Sequence, residues 1–445
     1  MKILHVPFTF YPDPGGGTEV YVEALAREQQ RRGDAVAIAA PGEREARYEH
    51  DGLPVRRFPR APTLALRDLY GDGDPTTAAA FDRILEAERP DLVHLHALTA
   101  AVSLRLARTV KRRGIRLIFT YHTPTISCQR GTLLRWGSEV CDGVLDLTRC
   151  TACTLQGLGV PRVLAELAGR TPVAVGAALE AAARSGGVWT ALRLRELMRR
   201  RHAAVRAVLA EADRVVALCA WGRDLLLRNG VPPAKIVLAR HGLPDTPLSE
   251  PAEVSDAPAR SPIRLIVLGR LDPTKGVHVL LRAVRRIPAA ALTLDIYGIV
   301  PGAREAAYLA SLRALAAGDP RVVFHPALPP DEVAAVLRRA DALVVPSQWL
   351  ETGPLVVLEA FAVGRPVLGS NLGGIAELVM HEINGLLIEP RSVPAWAGAL
   401  AQMAAHPEIL TRLRTGIRPP RTMVTVADEM ATLYRRLLSA GEWGR

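Results

Sequence analysis

Short apolar runs that alternate with longer helical patterns most constrain what this 445-residue chain can fold into. In its first half, five runs are typical of short strands: MKILHV, AVAIAA, DLVHLHA, RLIFTYH and RVVALC. A helical pattern follows the first run from about Thr18 to Arg32 and stops at Gly33. Strands that alternate with helices predict a parallel sheet with helices on both of its faces.

A stretch without periodicity, PDTPLSEPAEVSDAPARSP, divides the chain in two. It is rich in Pro, Ser, Ala and acidic residues, which is typical of a linker. Six strand-and-helix units follow it, from IRLIVLG to NGLLIEP. We therefore predict an α/β protein with a first doubly wound domain at 1–245, a linker at 246–262 and a second doubly wound domain at 263–425. Ligands of such sheets bind beyond the carboxyl ends of the strands, and two facing sheets would form a cleft.

Composition narrows the classes of partner. Aromatic residues make up 5% of the chain, which disfavours nucleic-acid binding by base stacking, and we predict no nucleic-acid partner. The net charge of +11 favours phosphate-bearing partners in general. The N-terminus is a poor signal peptide, and the most apolar later stretch, 173–183, is too short and too charged to span a bilayer. We expect a cytoplasmic protein that could attach peripherally to the inner face of a membrane.

The segment GRLDPTKG (269–276) lies between an apolar strand and a helical pattern in the second domain. Glycines at such a turn let the backbone approach a ligand, and the helix N-terminus beyond it offers amide groups to an anion. Arg270 and Lys275 would add two cations suited to a diphosphate. A solvated surface turn explains this short segment equally well.

The segment ETGPLVVLE carries glutamates at both ends of an apolar run. It follows the predicted strand ADALVVPS, and Gly353 and Pro354 suit a turn that leads into a helix. Glu351 would then lie in a loop at the cleft, and Glu359 inside the helix. A carboxylate on an apolar helix face is costly unless it accepts hydrogen bonds, which ribose hydroxyls could donate. Taken alone, the segment fits an ordinary helix with one acid near its N-terminus and one solvated acid.

Four stretches together make the chain resemble the group 1 glycosyltransferases, which are the retaining nucleotide-sugar transferases of family 4. They are PDPGGGTEVYVEALAREQQRRG, GRLDPTKG, the paired glutamates of ETGPLVVLE, and GRPVLGSNLGGIAELV with NGLLIEP. The resemblance implies a GT-B fold, with two facing Rossmann-like domains, a cleft between them, and the donor nucleotide held mainly by the second. It also implies that the final helix, within 426–445, packs back on the first domain.

The resemblance implies a role for each matched residue. Arg270 and Lys275 would bind the donor diphosphate and stabilise the leaving nucleotide. Glu359 would bond the ribose, and Glu351 would lie near the donor sugar. The backbone of Gly353, Pro354 and Leu355 would face the sugar or the phosphates. Because side chains supply the cations, we expect that catalysis requires no cofactor.

Glycines and histidines mark the first domain. Gly15, Gly16 and Gly17 lack a full dinucleotide fingerprint, and the resemblance places them beneath the donor phosphates. Alternation places His94 and His96 on one face of a strand, with His96 nearer its carboxyl end on the acceptor side and His94 in the core. His122, which follows another strand, would contact the donor sugar or the acceptor in the family, and otherwise serves as a structural histidine.

An insertion at about 128–206 carries two further features. Cys128, Cys141 and the C-x2-C pair Cys150 and Cys153 could hold a structural zinc ion, or could be unconnected thiols. Six arginines between 193 and 206 could rest on anionic lipid, or could form a solvated charged helix. Asp72 and Asp74 form an Asp-x-Asp pair in a loop, which we interpret as solvated rather than as metal ligands.

These features predict a retaining glycosyltransferase that moves a hexose from a nucleoside-diphosphate sugar to an acceptor. The acceptor could be a glycan, a lipid-linked or polysaccharide precursor, or a small molecule. A GT-B nucleotide-sugar epimerase and a non-enzymatic basic protein that binds nucleic acid or membrane are the alternatives. The sequence leaves the base, the sugar and the acceptor open.

Overall fold

The chain folds into two units in a computed structural model that describes residues 1–13, 16–182, 186–244, 261–300 and 302–439. The first unit comprises Met1–Arg240 and Val424–Arg445, and the second comprises His241–Met423. The chain thus returns to the first unit for its last helix. Gly15 and most of the predicted linker 246–262 lie outside the described residues.

Within the described residues, the first unit is built on an eight-stranded sheet in the order β10-β9-β6-β5-β1-β2-β4-β3. All neighbouring strands are parallel except β3 and β4. The strands are β1 (Lys2–Val6), β2 (Ala35–Gly42), β3 (Ala46–His50), β4 (Leu53–Pro59), β5 (Leu92–Leu95), β6 (Arg116–Tyr121), β9 (Arg214–Ala217) and β10 (Ile236–Leu238). A small antiparallel hairpin, β7 (Leu134–Arg135) with β8 (Glu139–Val140), lies in the insertion.

The helices of the first unit follow the predicted alternation and add a helical insertion. They are α1 (Gly17–Arg31), α2 (Leu66–Tyr70), α3 (Pro75–Glu88), α4 (Leu104–Arg112), α5 (Leu147–Gly157), α6 (Arg162–Ala168), α7 (Val173–Ala181), α8 (Gly187–Glu211), α9 (Ala220–Arg228) and the last helix, α17 (Met423–Ser439). Tyr434 of α17 is fully buried and bonds His94 of β5, so α17 is part of this unit's core.

The second unit has a six-stranded parallel sheet in the order β13-β12-β11-β14-β15-β16, counted over the described residues. Its strands are β11 (Ile263–Arg270), β12 (Leu292–Ile299), β13 (Val322–His325), β14 (Ala342–Val345), β15 (Val367–Ser370) and β16 (Gly385–Ile388). Its helices are α10 (Val277–Arg285), α11 (Ala303–Ala316), α12 (Val333–Arg339), α13 (Leu355–Ala362), α14 (Gly373–Leu378), α15 (Val393–Ala405) and α16 (Glu408–Thr415).

Helices cover both faces of the second sheet, as the near-continuous apolar strands require. Leu265 and Val267 of β11 pack into a core with α10 and α15, whereas Ile266 packs into a separate core with α12 and α13. The order in which successive strands are added to the sheet reverses after β13, because β14 adds on the other side of β11 from β12. This switch point is where doubly wound sheets bind ligands, and it brings the loop after β11 beside the loop after β14.

The β3–β4 hairpin was not among the predicted strands. Its turn is Asp51-Gly52, and both residues have positive φ, of 46° and 80°. Asp-Gly between two short strands is a strong hairpin signal, so the sequence did contain the information.

Two features predicted as solvated are so only in part: the side chains of Asp72 and Arg199 are 47% and 50% exposed, but neighbouring members are buried or paired. Asp74 is fully buried and caps α3, because its carboxylate accepts from the backbone N–H of Thr76 and of Ala61, each at 2.7 Å. The arginines of α8 are not a free basic face either. Arg199 and Arg200 pair with the buried Glu196, and the remainder bond Glu180 or backbone carbonyl oxygens: Arg193, Arg195, Arg201 and Arg206. Among the described helices, none is long and apolar enough to cross a membrane.

Candidate active site

Two loops meet at the switch point of the second unit. The first runs from Arg270 to Gly276 after β11, and the second runs from Pro346 to Pro354 after β14. The backbone N–H of Gln348 donates to the carbonyl oxygen of Thr274 at 2.6 Å, which ties the two loops together. The carboxyl ends of two neighbouring strands therefore present one joined surface at this edge of the sheet.

Glycine at position 276 allows this close approach. Its φ of 73° is a left-handed conformation that other residues rarely adopt, and a Cβ there would lie 1.9 Å from the carbonyl oxygen of Pro346. Any side chain at 276 would push the loops apart. Gly276, which was predicted to let the backbone approach a ligand, thus also lets the loop after β14 approach the loop after β11.

Lys275 and Glu351 form an ion pair where the loops meet. The Lys275 ammonium lies 3.0 Å from both carboxylate oxygens, and the buried hydroxyl of Ser347 also donates to this carboxylate. The side chains of Lys275 and Glu351 are 22% and 8% exposed, so the pair is largely shielded from water. The indole ring of Trp349 lies 5.9 Å from the ammonium and adds a weak attraction.

Two further glycines, Gly374 and Gly353, fix the backbone around Glu351. The backbone N–H of Gly374 donates to the carbonyl oxygen of Glu351 at 2.6 Å, and a Cβ at Gly374 would lie 2.7 Å from that oxygen. Gly353, with a φ of 152°, packs against the ring of His241 so closely that a Cβ would lie 2.8 Å from it. These contacts fix the direction of the backbone that enters α13 at Leu355, after Pro354 as its N-cap.

Arg270 differs from Lys275 because it remains available to a ligand. Its side chain is 54% exposed, and its nearest carboxylate, Asp272, lies 3.8 Å away. Asp272 is itself engaged, since it accepts from the backbone N–H of Thr274 at 2.9 Å. The mouth of the loop therefore carries one exposed guanidinium beside one paired ammonium, which is a suitable pair of cations for a diphosphate.

Glu359 lies in the second turn of α13 and is partly buried among apolar residues. Among the residues that the structure describes, no side chain or backbone group donates a hydrogen bond to its carboxylate. Burial raises the pKa of Glu359 to about 7. A carboxylate in this position is stabilised by any ligand that supplies hydroxyl donors.

Histidines from three neighbouring strands form a hydrogen-bonded chain in the first unit. Nε2 of His122 lies 2.9 Å from Nδ1 of His96, and Nε2 of His96 lies 2.9 Å from Nδ1 of His5. Nε2 of His5 lies 2.7 Å from the side-chain oxygen of Gln29. Burial lowers the pKa of His5 to about 4 and that of His96 well below its ordinary value, so both rings are neutral at pH 7.

The chain of rings has a direction. An amide oxygen only accepts, so His5 must carry its proton on Nε2 and accept at Nδ1. His96 then donates through Nε2 and accepts at Nδ1, and His122 donates through Nε2. Gln29 thereby determines that Nε2 of His122 carries a proton. His94 lies outside this chain, because it bonds Tyr434 and Thr120 at 2.7 and 2.6 Å, as expected for a core histidine.

The rings of His5, His94 and His96 are close enough to share a metal ion. Each of their six ring nitrogens, however, already takes part in one of the hydrogen bonds above. A metal ion would have to break several of these bonds in a fully buried place. The geometry favours a structural network over a metal site.

Replacing Gln29 with leucine is expected to lower the free energy of unfolding by about 1 to 3 kcal/mol, because it leaves the His5 N–H buried without an acceptor. Urea denaturation measures the change. Gln30→Leu is the matched control, since Gln30 on the same helix only bonds the exposed backbone oxygen of Gly52. Equal losses in the two variants would contradict a structural role for this chain of rings.

Gly16 and Gly17 lie at the start of α1, where the sequence places donor phosphates. The carboxylate of Glu19 occupies the nearest amide, since it accepts from the N–H of Gly16 at 2.7 Å. A Cβ at Gly17 would meet no atom within 4 Å, so the space above it is open. An anion can therefore approach Gly17, whereas Gly16 is available only if Glu19 moves.

The predicted cysteines gather around one place. Cys128, Cys141, Cys150 and Cys153 all line a cavity of about 30 Å³ in the insertion. Burial, with the neighbouring sulfurs, raises the pKa of Cys150 to about 12. Cys219 lies elsewhere, buried at the start of α9.

Sequence reasoning missed Ser347, His5 and Gln29. Ser347 could have been found as the polar residue that ends the strand ADALVVPS, four positions before Glu351. A further signal was overlooked at Lys275. Only four of the 56 basic residues are lysines, and Lys275 is the one lysine between 241 and 423. An ammonium is a compact point charge on a flexible stem, whereas a guanidinium is larger and planar, so the two cations are not interchangeable at this position.

The fold and the site together define a doubly wound α/β protein whose second unit carries Arg270, Lys275 and Glu351 at its switch point. Two family models match the chain: "Glycosyl transferases group 1" over residues 253–418 and "Glycosyltransferase Family 4" over residues 15–166. The first covers the Lys275–Glu351 site, and the second covers Gly16, Gly17, His96 and His122.

Relatives extend this likeness over the whole chain. The chain is 31% identical to the glycogen synthase of Mycobacterium tuberculosis over 98% of its own length and 94% of that protein. It is 36% identical to the D-inositol 3-phosphate glycosyltransferase of Rhodococcus opacus over 46% of its own length and 48% of the relative. The matched part thus spans about half the length of the first such relatives. The chain belongs to the group 1 glycosyltransferases of family 4.

A solved structure supports the fold class. HepE of Anabaena, in complex with UDP-glucose, superposes with a TM-score of 0.64 at 17% identity, over 98% of this chain and 100% of that one. The predictions of family membership, of an enzyme class within it and of a GT-B fold with Rossmann-like domains are confirmed. The roles of the individual residues remain predictions.

Proposed function

We propose that this protein transfers a hexose from a nucleoside-diphosphate sugar to an acceptor with retention of configuration. The observation that carries the proposal is the Lys275–Glu351 pair at the switch point, beside the exposed Arg270. This arrangement offers two cations to a diphosphate and one carboxylate to a sugar. The likeness to HepE, which was solved with UDP-glucose, supports a donor of this kind.

The cations act where charge develops. When the bond between the sugar C1 and the diphosphate oxygen breaks, negative charge grows on the leaving diphosphate, and Arg270 and Lys275 stabilise it. The acceptor hydroxyl forms the new bond to C1 and passes its proton to the departing phosphate oxygen on the same face. Because side chains supply the positive charge here, the proposed mechanism does not require a metal ion.

The other groups hold the donor in place. Glu351, already fixed by Lys275 and Ser347, accepts from sugar hydroxyls, and the backbone from Gly353 to Leu355 faces the sugar or the phosphates. Glu359 accepts from the ribose hydroxyls, which relieves its burial in an apolar helix face. In the first unit, His96 and His122 serve the acceptor and the sugar. The acceptor is a glycan, a lipid-linked or polysaccharide precursor, or a small molecule.

A donor screen tests this proposal. The protein is incubated with UDP-, GDP- and ADP-sugars, without an acceptor and with candidate acceptors, and products are followed by NMR. We expect that one donor class is hydrolysed slowly and that transfer yields a product with the donor's anomeric configuration. An epimer formed from the donor alone would assign the chain to the epimerases instead. A product of inverted configuration, or turnover of none of these donors, would overturn the proposal.

An exposed apolar patch suggests how the protein meets a lipid-linked acceptor. The patch consists of Leu158, Val163, Leu164 and Leu167, which are 56% to 70% exposed. Arg162, in the same segment, is 57% exposed and pairs with Glu166 at 3.1 Å. Exposed aliphatic side chains on a protein of net charge +11 suit the surface of an anionic membrane. This patch replaces the α8 arginines as the contact surface for peripheral attachment.

Vesicle sedimentation tests the patch. The wild-type protein is expected to sediment with vesicles of phosphatidylcholine and phosphatidylglycerol and to be released by salt. The Leu164→Asp/Leu167→Asp variant is expected to bind vesicles at least tenfold more weakly. It removes apolar area that would enter the membrane, and it adds two negative charges that anionic lipid repels. Val323→Asp, at an exposed apolar position of the second unit, is the control. Equal binding by the patch variant and the wild type would contradict this attachment.

A further inference from the structure

The four cysteines of the insertion come from separate elements and meet at one cavity. Cys128 follows the short 3-10 turn Pro124–Ile126, Cys141 follows the β7–β8 hairpin, and Cys150 and Cys153 lie three residues apart on one face of α5. All four line the same cavity of about 30 Å³, and all are free thiols. A cavity of this size is close to the volume of a single small ligand.

A backbone N–H group points at one of these sulfurs. The N–H of Trp136 donates to Sγ of Cys153 at 3.4 Å. Such donors are poorly used by neutral thiols, whereas they stabilise the negative charge of metal-bound sulfur.

Cations and backbone geometry agree with this interpretation. Arg130 lines the same cavity and would offset part of the charge of four thiolates on a divalent ion, whereas Arg149, which also lines it, already pairs with Asp142 at 2.8 Å. Leu133 and Trp136 in the hairpin adopt left-handed conformations, with φ of 52° and 57°. Backbone of this kind persists only where its surroundings hold it firmly. The hairpin therefore has to be fixed by more than its two short strands.

We propose that Cys128, Cys141, Cys150 and Cys153 bind one structural zinc ion. Four sulfurs in this spacing, with a C-x2-C pair on a helix, suit tetrahedral coordination. In the arrangement described, no three of the four sulfurs lie within 4.8 Å of one another. Around a zinc ion they would lie about 3.8 Å apart, so binding draws the hairpin and α5 together.

The position of the cysteines indicates which segment a bound ion would stabilise. Cys128 lies six residues after His122, and the 3-10 turn between them carries Thr125, whose carbonyl oxygen accepts from Arg201. A metal that anchors Cys128 to α5 fixes the far end of the segment that leaves His122. Zinc would thus stabilise the loop at the carboxyl end of β6 without taking part in the chemistry.

Metal analysis of the full chain tests the proposal. The protein is purified without a chelator and without a histidine tag, and zinc is measured by mass spectrometry. We expect about one zinc ion per chain, and a sulfur-to-cobalt charge-transfer band when cobalt replaces it. The Cys150→Ser and Cys153→Ser variants are expected to lose the metal. Cys219→Ser is the matched control, because Cys219 lies outside the cavity, and it keeps the metal.

Several results would overturn the proposal, and none depends on glycosyl transfer. They are less than a tenth of an equivalent of zinc with no cobalt band, full zinc retention in Cys150→Ser, an iron-sulfur absorption spectrum, or thiol titration that finds the cysteines paired in disulfides. Because the wild-type metal content and the cobalt spectrum need no variant, a serine variant that fails to fold leaves the test intact. A failed donor screen would leave this outcome unchanged.

Discussion

Replacing Lys275 with alanine is expected to lower kcat/KM for the donor by about 1,000-fold, the effect of removing a preorganised group that stabilises charge in the transition state. The reason is twofold. The ammonium stabilises the leaving diphosphate. It also holds the Glu351 carboxylate in place, because both carboxylate oxygens lie 3.0 Å from it. Steady-state kinetics with the donor identified by the screen measures the change.

The same variant is expected to be less stable. Removing one partner of a shielded ion pair leaves the other charge without compensation, which costs about 3 kcal/mol. Lys275→Arg is expected to recover stability only in part and to remain at least tenfold slower, because a planar guanidinium cannot reproduce the position of the ammonium, 3.0 Å from both oxygens of Glu351. Lys235→Ala is the control, since Lys235 only bonds backbone oxygens of the first unit. Wild-type kinetics in Lys275→Ala would contradict the assigned role.

Replacing Glu359 with glutamine is expected to weaken donor binding by about tenfold at pH 8, since an ionised acceptor of ribose hydroxyls becomes a neutral one. The same change is expected to stabilise the unliganded protein. The pKa of Glu359 in the folded chain is about 7, above the ordinary 4.5, so its ionisation opposes folding. The contribution of this group to stability is therefore greatest below pH 4.5 and falls as the pH rises to 7.

These signs give a matched pair of measurements. At pH 8 the free energy of unfolding of the glutamine variant should exceed that of the wild type by about 3 kcal/mol, and near pH 4.5 the difference should vanish. The wild type should lose donor affinity as the pH falls below 7, because the carboxylate must first give up its proton. Glu332→Gln, at an exposed acid before α12, is the control for both. A pH-independent difference in stability would contradict the buried environment of Glu359.

The sequence predicted the strand-and-helix units because both halves repeat one pattern with apolar strands. The polar residues at or just after the ends of those strands, such as His96, His122 and Arg270, were singled out because parallel strands collect ligands at their carboxyl ends. The β3–β4 hairpin was missed although its Asp-Gly turn was visible. It broke the repeat that the interpretation followed.

Pairings across the fold could not be predicted. Lys275 and Glu351 are 76 residues apart, and the resemblance implied a separate role toward the donor for each of them. His5 and Gln29 became meaningful only when the sheet order brought β1 beside β5. The α8 arginines had been counted as one basic face, because the distant carboxylate of Glu180 and the carbonyl oxygens that bind them are invisible in a helical pattern.

The central claim is that the second unit binds a nucleoside diphosphate through Lys275, Arg270 and Glu359. Isothermal titration of UDP, GDP and ADP into the full chain tests it most directly, with Arg270→Ala and Glu359→Ala as variants and Lys235→Ala as the control. We predict that one of the nucleotides binds at a single site, that both variants lose at least tenfold in affinity, and that the control binds as the wild type does. Equal affinity in the wild type and both variants, or binding of none of the three nucleotides, would contradict this account.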